Sequence, residues 1–195
     1  MSLEPTTLTG IRARLEPLRQ DHAQDLLVAA CHDKIWRYLD EPTPRTVQAI
    51  EQMISDAENE ERDGRRLPFA IIDQESNKAI GSTSYIDIRL NDRGVEIGWT
   101  WLTPSMWGTR INVEAKFMLL SYAFENLGMI RVALKTDRRN VRSQRAIERL
   151  GAIREGTWRN HRVLSDGHIR DSVYYSVIVS EWPECRDRLC RVLEG

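Results

Sequence analysis

The sequence has few residues of the kinds that cross-link chains or bind metals. It contains only three cysteines, none in a CxxC pair, and its four histidines show no metal-ligand spacing. A small, odd and scattered set of cysteines predicts neither a disulfide framework nor a zinc site. We therefore expect reduced thiols and no bound metal.

Long apolar segments and a strong charge imbalance are missing as well. Residues 1–10 lack the basic and apolar regions of a secretory signal, and no apolar run approaches the ~18 residues of a membrane span. The formal net charge is only −1, which gives no support to nucleic-acid binding, although ten arginines fall between Arg131 and Arg170. The sequence predicts a cytoplasmic protein with no membrane or nucleic-acid partner.

What is present is a succession of helical and strand patterns typical of one α/β domain. The predicted elements, in chain order, are strand 11–18, helix 20–31, a helix from Thr43-Pro44, strands 67–73, 79–90 and 94–102, helix 112–126, strand 130–137, helix 141–150, and strands 152–163 and 173–179. Because helix 112–126 joins two strands, strands 94–102 and 130–137 should be parallel neighbours. Alternation in strand 94–102 puts Glu96 on one face and, on the other, Val95, Ile97, Trp99 and Trp101.

The loop between strand 94–102 and helix 112–126 is a candidate anion site. It contains a single glycine, Gly108, just before the helix. The first amides of a helix have no internal partner and lie at the positive end of the helix dipole, so they suit a phosphate or diphosphate. A simple strand-to-helix turn is the alternative, and one glycine does not decide between them.

A second informative segment runs from Asn140 to Gly151. Asn140 is a helix N-cap candidate, Ser143 is a possible reciprocal cap, and Gly151 is typical of a helix C-terminus. Helix capping alone would account for this segment.

The order of these segments resembles the GCN5-related N-acetyltransferase (GNAT) superfamily. The matching pattern is a glycine loop before a buried helix, then a strand, then N-x-x-S-x-x-x-I-x-x-L-G from Asn140 to Gly151. Three further motifs are similar to the ribosomal-protein-acetylating RimJ/RimL-like branch: LEPL at 15–18, WRYL at 36–39 and RDSVYYS at 170–176.

The resemblance implies an α/β (α+β) acetyltransferase domain over residues 11–182, with residues 183–195 as a C-terminal helical tail. Its mixed sheet would have about seven strands, antiparallel except for one parallel pair that splays apart, with about four flanking helices. Because such relatives are often dimers, a homodimer is an open alternative.

The implied enzyme transfers an acetyl group from acetyl-CoA to a primary amine of a protein N-terminus or a small molecule. No cysteine lies in either motif, which favours direct attack in a ternary complex over an acyl-cysteine intermediate. The implied acetyl-CoA contacts are Trp101, Leu102, Thr103, Trp107, Gly108, Thr109, Arg110, Ile111, Asn112, Asn140, Ser143 and Arg145. Segment 105–110 departs from the usual Q/R-x-x-G-x-G/A pattern, so Arg110 would either contact a phosphate or block it.

Three residues are the implied catalytic set. Glu96 is the candidate base, with a solvent-facing strand residue as the alternative. Ser143 would protonate the leaving thiolate, while Asn140 would bind pantetheine or act only as a cap. Tyr174 and Tyr175 compete with Ser143 as the acid, and alternation puts one of the two tyrosines into the core.

Two other functions remain open. If several of Arg159, His161, Arg162 and Arg170 converge, an acidic acceptor or a charged acyl group such as succinyl becomes the better hypothesis. The departure at Arg110 also keeps open a catalytically silent CoA-binding sensor on the same fold.

Overall fold

The computed structural model describes residues 3–194, which form one α/β domain around a mixed eight-stranded sheet. The strands are β1 (Leu8–Thr9), β2 (Ala13–Pro17), β3 (Arg66–Asp73), β4 (Lys78–Arg89), β5 (Gly94–Leu102), β6 (Arg131–Asp137), β7 (Ile153–Val163) and β8 (Ile169–Ile178). They lie in the order β1-β2-β3-β4-β5-β6-β8-β7. All neighbours are antiparallel except β5 and β6, so the predicted fold class and its parallel pair are confirmed.

Six α-helices flank the sheet in the described part of the chain. They are α1 (Ala23–Ala30), α2 (Asp33–Trp36), α3 (Val47–Arg62), α4 (Ile111–Ser121), α5 (Val141–Leu150) and α6 (Trp182–Glu194). The long helix predicted over 112–126 is regular only to Ser121 and continues as a π-helical turn over Tyr122–Asn126. Thr46 begins α3, since its side chain accepts a hydrogen bond from the Ala49 amide.

The helices cover the two faces of the sheet unequally. Helices α4, α5 and α6 pack on one side, here called the α4 face, over apolar residues from β2 to β8. Helices α1, α2 and α3 pack on the other side, the α3 face, where the apolar cluster ends at Trp101 of β5. On the α3 face, β6 and β8 carry polar residues such as Lys135, Asp137, Arg170 and Ser172 instead of a continuation of that apolar cluster, and this boundary positions the site.

The structure contains one strand more than expected, because the chain folds back at Gly10 to form β1. The carboxylate of Glu114, on α4, accepts hydrogen bonds from the amides of Ile11, Arg12 and Ala13. Glu114 lies about a hundred residues from this turn in the sequence, so local sequence patterns do not reveal the contact that stabilises it.

Helix α6 packs its apolar side onto the α4 face. Trp182, Cys185 and Leu189 are buried there, and the Trp182 indole stacks on Phe124 with ring centroids 5.3 Å apart. The expected division into an acetyltransferase domain over 11–182 and a tail over 183–195 stays a prediction.

Candidate active site

Strands β5 and β6 separate part-way along their length. Their parallel pairing covers only Gly94–Arg131, Val95–Val132 and Glu96–Ala133, although β5 continues to Leu102 and β6 to Asp137. Beyond Glu96 the facing edges of the two strands are unpaired with each other. A gap between parallel strands exposes backbone donors and acceptors, which an extended ligand satisfies by pairing as an additional strand.

A β-bulge lies on β5 beside this gap, and it corrects the expected alternation. Trp99 has a φ of +50°, and the register with β4 shifts between Ser82 and Ser84. Because of the extra residue, Trp101 turns to the α3 face and packs against Trp36, with ring centroids 5.4 Å apart. The prediction that Trp101 shares a face with Val95 and Ile97 is therefore wrong, since a bulge reverses alternation.

The loop before α4 has the backbone form that an anion site requires. Gly108 has a φ of +79°, and its missing side chain leaves open space. The Ile111 amide reaches only the Thr109 hydroxyl, at a long 3.4 Å. Within residues 3–194, the amides of Asn112 and Val113 have no backbone acceptor. These donors lie at the positive end of α4.

Two loop residues make side-chain contacts that the sequence does not reveal. The Arg110 guanidinium donates to the Leu193 carbonyl of α6 at 3.3 Å. The Trp107 indole donates to the Leu102 carbonyl at 2.9 Å, and the Arg142 guanidinium lies 3.4 Å from its ring centroid. Trp107 thereby joins the end of β5 to the start of α5. Thr103 is tied to β4, since its amide donates to the Ile80 carbonyl at 2.8 Å.

The start of α5 brings the second predicted motif to the same end of the sheet. The Asn140 side-chain oxygen accepts from the Ser143 amide at 3.1 Å, so Asn140 is the helix cap. The Ser143 hydroxyl makes no hydrogen bond to any other residue within 3–194, and Ser143 is half-buried. Arg145 is exposed on the same helix.

Glu96 lies on the α3 face at the point where the strands separate. Its side chain is buried, with 3% of the residue exposed, so the solvent-facing alternative is wrong. Oε2 accepts from Lys135 Nζ at 3.0 Å, while Oε1 is the one fully buried side-chain polar atom without a partner in the described chain. Burial raises the pKa of Glu96, and the neighbouring Lys135 opposes that shift.

Beside Glu96, the polar α3 face continues over β8 and β7. Tyr174 is half-buried under Lys135, whose Nζ lies 5.8 Å from the ring centroid. Tyr175 instead enters the α4 face, where it is fully buried and its hydroxyl donates to Glu148 at 3.1 Å. Alternation predicted that one of the two would be in the core, and the structure identifies it as Tyr175.

Comparison with known proteins decides the family. The family described as the acetyltransferase (GNAT) domain matches residues 12–153. The chain belongs to the GNAT acetyltransferase family. This confirms the predicted family and identifies the protein as an acetyltransferase.

Three relatives illustrate the match. A GCN5-related N-acetyltransferase from Brucella melitensis is 30% identical, with a TM-score of 0.91 over 98% of this chain and 86% of that chain. YdaF of Bacillus subtilis (strain 168), which is assigned to the ribosomal N-acetyltransferases, is 36% identical over 91 residues, or 47% of this chain and about half (49%) of YdaF. RimJ of Mycobacterium smegmatis, in complex with CoA-disulfide, shares the fold at 22% identity, with a TM-score of 0.83 over 96% of this chain and 95% of that chain. The YdaF match supports the RimJ/RimL-like branch.

In this GNAT fold, a cavity of about 430 Å³ opens on the α3 face next to the β5 bulge. Its lining combines apolar residues, including Trp36 and Trp101, with the charged residues Glu41, Glu60 and Arg66. The cavity therefore combines an apolar and a charged lining beside β5.

Sequence reasoning missed Lys135 as a partner of Glu96. Lys135 lies on a predicted strand, directly after the apolar run Val132-Ala133-Leu134. A lysine at an inward position of a central strand is a usable signal, since such residues are seldom buried without a partner.

Within residues 3–194, none of the helices combines the length and hydropathy needed to span a bilayer. The same residues hold no group of three or more His, Cys, Asp or Glu side chains arranged for a metal ion.

Proposed function

We propose that this GNAT acetyltransferase transfers an acetyl group from acetyl-CoA to a primary amine by direct attack in a ternary complex. The observation that carries the proposal is the early end of β5–β6 pairing at a buried glutamate, with the free amides of α4 at the open end of the gap. The extended thioester arm of acetyl-CoA would lie in the gap between β5 and β6, and its diphosphate would reach the free amides at the start of α4.

The loop residues fit the diphosphate of acetyl-CoA. Gly108 permits close approach of a phosphate because it has no side chain and a positive φ. The amides of Ile111, Asn112 and Val113 would donate to phosphate oxygens. Trp101, Leu102 and Thr103 would flank the pantetheine arm, and Trp107 and Thr109 would hold the loop. That RimJ of M. smegmatis has a structure with CoA-disulfide agrees with this assignment.

The positive side chains near the loop have separate proposed roles. Arg145 is exposed on α5 and would pair with a phosphate of the nucleotide. Arg110, which bonds to Leu193, would act through the loop backbone and the packing of α6, and this contact disfavours the idea that it blocks the site.

Glu96 is proposed as the general base. An alkyl ammonium has a pKa of about 10.4, so the attacking amine must first lose a proton. Glu96 Oε1 has no partner, and burial raises the pKa of this carboxyl, which makes it a better proton acceptor than an exposed glutamate. The neutral nitrogen then forms a bond to the thioester carbonyl carbon, and the carbon–sulfur bond breaks. The nitrogen loses its second proton as the amide forms, and this proton replaces the one that the acid gives to the departing thiolate.

The departing thiolate would receive a proton from Ser143 or Tyr174. Ser143 is favoured by the resemblance and by its hydroxyl, which has no partner within residues 3–194. Tyr174 is favoured by its place on the same face as Glu96. Asn140 would keep Ser143 in place as the cap of α5.

The acceptor, the location and the assembly also belong to this proposal. The assignment of YdaF favours a ribosomal-protein N-terminus as acceptor, with a small amine as the alternative. A ribosomal substrate implies a cytoplasmic enzyme, and a homodimer follows only from the resemblance.

The test is calorimetry with acetyl-CoA, followed by a thiol-release assay with peptide N-termini and small amines. We expect saturable acetyl-CoA binding and release of free CoA with at least one amine. A protein that binds no CoA thioester would contradict the proposal, and one that binds acetyl-CoA but turns over no amine would support the sensor alternative.

A further inference from the structure

Arg170, on β8, is a buried cation whose charge has no direct partner. Only 7% of the residue is exposed. Its Nε donates to the Ser172 hydroxyl at 3.0 Å. Within residues 3–194, its two terminal nitrogens make no hydrogen bond and no carboxylate lies within salt-bridge distance. Buried guanidinium groups are ordinarily paired, because desolvating a charge is costly.

The nearest acidic groups are already engaged by other cations. Asp137 is held by Arg139 through both carboxylate oxygens, at 3.0 Å and 2.8 Å. Glu96 is paired with Lys135. Neither carboxylate hydrogen-bonds to Arg170, although both favour its charged form at longer range.

Two basic residues, Arg162 and His161, lie beside this guanidinium. Burial lowers the pKa of Arg170 from its ordinary value, an effect that Asp137 opposes and Arg162 reinforces. His161, bonded through Nδ1 to the Ser172 hydroxyl at 2.9 Å, has its pKa lowered by burial and by the surrounding cations. Arg162 is itself paired with Asp40, at 3.8 Å. In the described chain, the cluster of Arg170, His161 and Arg162 around Ser172 therefore contains one cation, Arg170, that has no carboxylate within salt-bridge distance.

The free end of the guanidinium is accessible from the same face as the proposed catalytic base. Arg170, Ser172 and Tyr174 alternate with the core residues of β8, so they share the α3 face with Glu96. The two terminal nitrogens of Arg170 have no partner in the described chain. Because the one fully buried side-chain polar atom without a partner there is Glu96 Oε1, these nitrogens are not fully buried and retain contact with solvent.

The four late basic residues of the sequence do not all converge. His161 and Arg162 lie with Arg170, whereas Arg159 is exposed and lies beside Asp171, whose side chain lies on the opposite face of β8 from Arg170. Arg159 is therefore a matched control, since it carries the same charge on the same hairpin but lies outside the cluster around Ser172.

We infer that Arg170, with Ser172 and His161 beside it, is a binding site for a carboxylate of one of the two substrates. The guanidinium fork matches a carboxylate with two parallel hydrogen bonds, and the described chain places no carboxylate within that distance of Arg170. The carboxylate belongs either to the amine acceptor or to a dicarboxylic acyl group such as succinyl. This inference rests on the proposed acyl transfer, because it assigns the chemistry of a substrate of that same site.

The experiment compares charged and neutral reactants of matched shape. On the acyl side, succinyl-CoA is compared with butyryl-CoA, and on the acceptor side, β-alanine with propylamine and an acidic peptide with its amide. Each pair is measured with the wild type, Arg170→Gln, Arg170→Lys and the control Arg159→Gln, after thermal denaturation has confirmed that each variant is folded.

We expect one pair to show a preference for the charged member. Arg170→Gln should reduce kcat/KM for that member by about 10- to 100-fold and leave kcat/KM for its neutral counterpart unchanged. Arg170→Lys should reduce kcat/KM for the charged member by a smaller factor. Arg159→Gln should behave as wild type. The pair that responds identifies which substrate carries the carboxylate.

Equal effects of Arg170→Gln on charged and neutral reactants, or no preference in any pair, would overturn the inference. If turnover is absent, calorimetry with succinyl-CoA and butyryl-CoA, and with β-alanine and propylamine in the presence of CoA, gives the same comparison. Equal binding within both pairs overturns the carboxylate site, whereas the proposed function fails separately if no CoA thioester binds.

Discussion

Lys135 Nζ lies 3.0 Å from Glu96 Oε2, and this ion pair joins β6 to β5 at the end of their paired segment. One carboxylate oxygen is held and the other is unpartnered within the described chain. Lys135 therefore orients Glu96 and also limits how far burial raises the pKa of its carboxyl.

The first prediction concerns Glu96 as the base. Glu96→Gln should lower kcat by about 10²- to 10⁴-fold while acetyl-CoA binding is retained. Because the base acts in its deprotonated form, wild-type activity should fall as the pH falls through the raised pKa of Glu96. The pH dependence of kcat/KM measures this, and Glu96→Gln should lack that acidic limb.

Lys135→Met provides the companion measurement. Removing the cation takes away the interaction that lowers the pKa of Glu96, so the acidic limb should move to higher pH. An acidic limb that persists unchanged in Glu96→Gln would show that another group is the base.

The second prediction concerns Gly108 and the diphosphate. Gly108→Val should weaken acetyl-CoA binding about 10-fold or more, because a β-branched residue at a φ of +79° strains the loop whose amides would grip the phosphates. Calorimetry measures the change. Gly64, with a φ of +69° and equally open space, is the matched control in the turn after α3. Gly64→Val should cost stability without changing affinity, and equal losses of affinity would contradict a role for the loop.

The third prediction separates Ser143 from Asn140. Ser143→Ala should lower kcat about 10-fold or more with little change in acetyl-CoA affinity, because a proton donor acts on the leaving thiolate. Asn140→Ala should instead lower the free energy of unfolding by about 1 kcal/mol, because it removes the cap of α5. Tyr174→Phe tests the competing acid, and full activity in Ser143→Ala with a loss in Tyr174→Phe would reassign the role.

Local patterns predict much of this fold, because the spacing of apolar residues indicates where helices and strands lie. The crossover from β5 through α4 to β6 follows from such patterns, as does the N-cap at Asn140. The bulge at Trp99, which moves Trp101 to the other face, does not follow from alternation. Its one local signal is the adjacent Gly98, since a glycine inside a strand can mark a bulge. Contacts made across the sheet, such as that of Lys135 with Glu96, depend on the register of the paired strands. They cannot be predicted from local sequence patterns, which do not fix that register.

The last prediction concerns Lys116, a cation enclosed between α4 and the sheet. Its Nζ donates to the Thr83 and Thr100 hydroxyls, and burial lowers its pKa from 10.5 to about 7. In the unfolded chain the pKa returns to about 10.4. Between these two values the unfolded state binds a proton that the folded state lacks, so this lysine makes stability rise with pH, by up to about 1.4 kcal/mol per pH unit.

Lys116→Met should remove that slope. The free energy of unfolding of the variant, relative to wild type, should be highest near pH 7 and decline as the pH rises to 9, because only the wild type gains stability over that range. Urea unfolding at a series of pH values measures the difference. Lys78→Met, at an exposed position of β4, should leave the slope unchanged. Parallel pH profiles for wild type and Lys116→Met would mean that Lys116 remains protonated in the fold, stabilised by its two threonine hydroxyls.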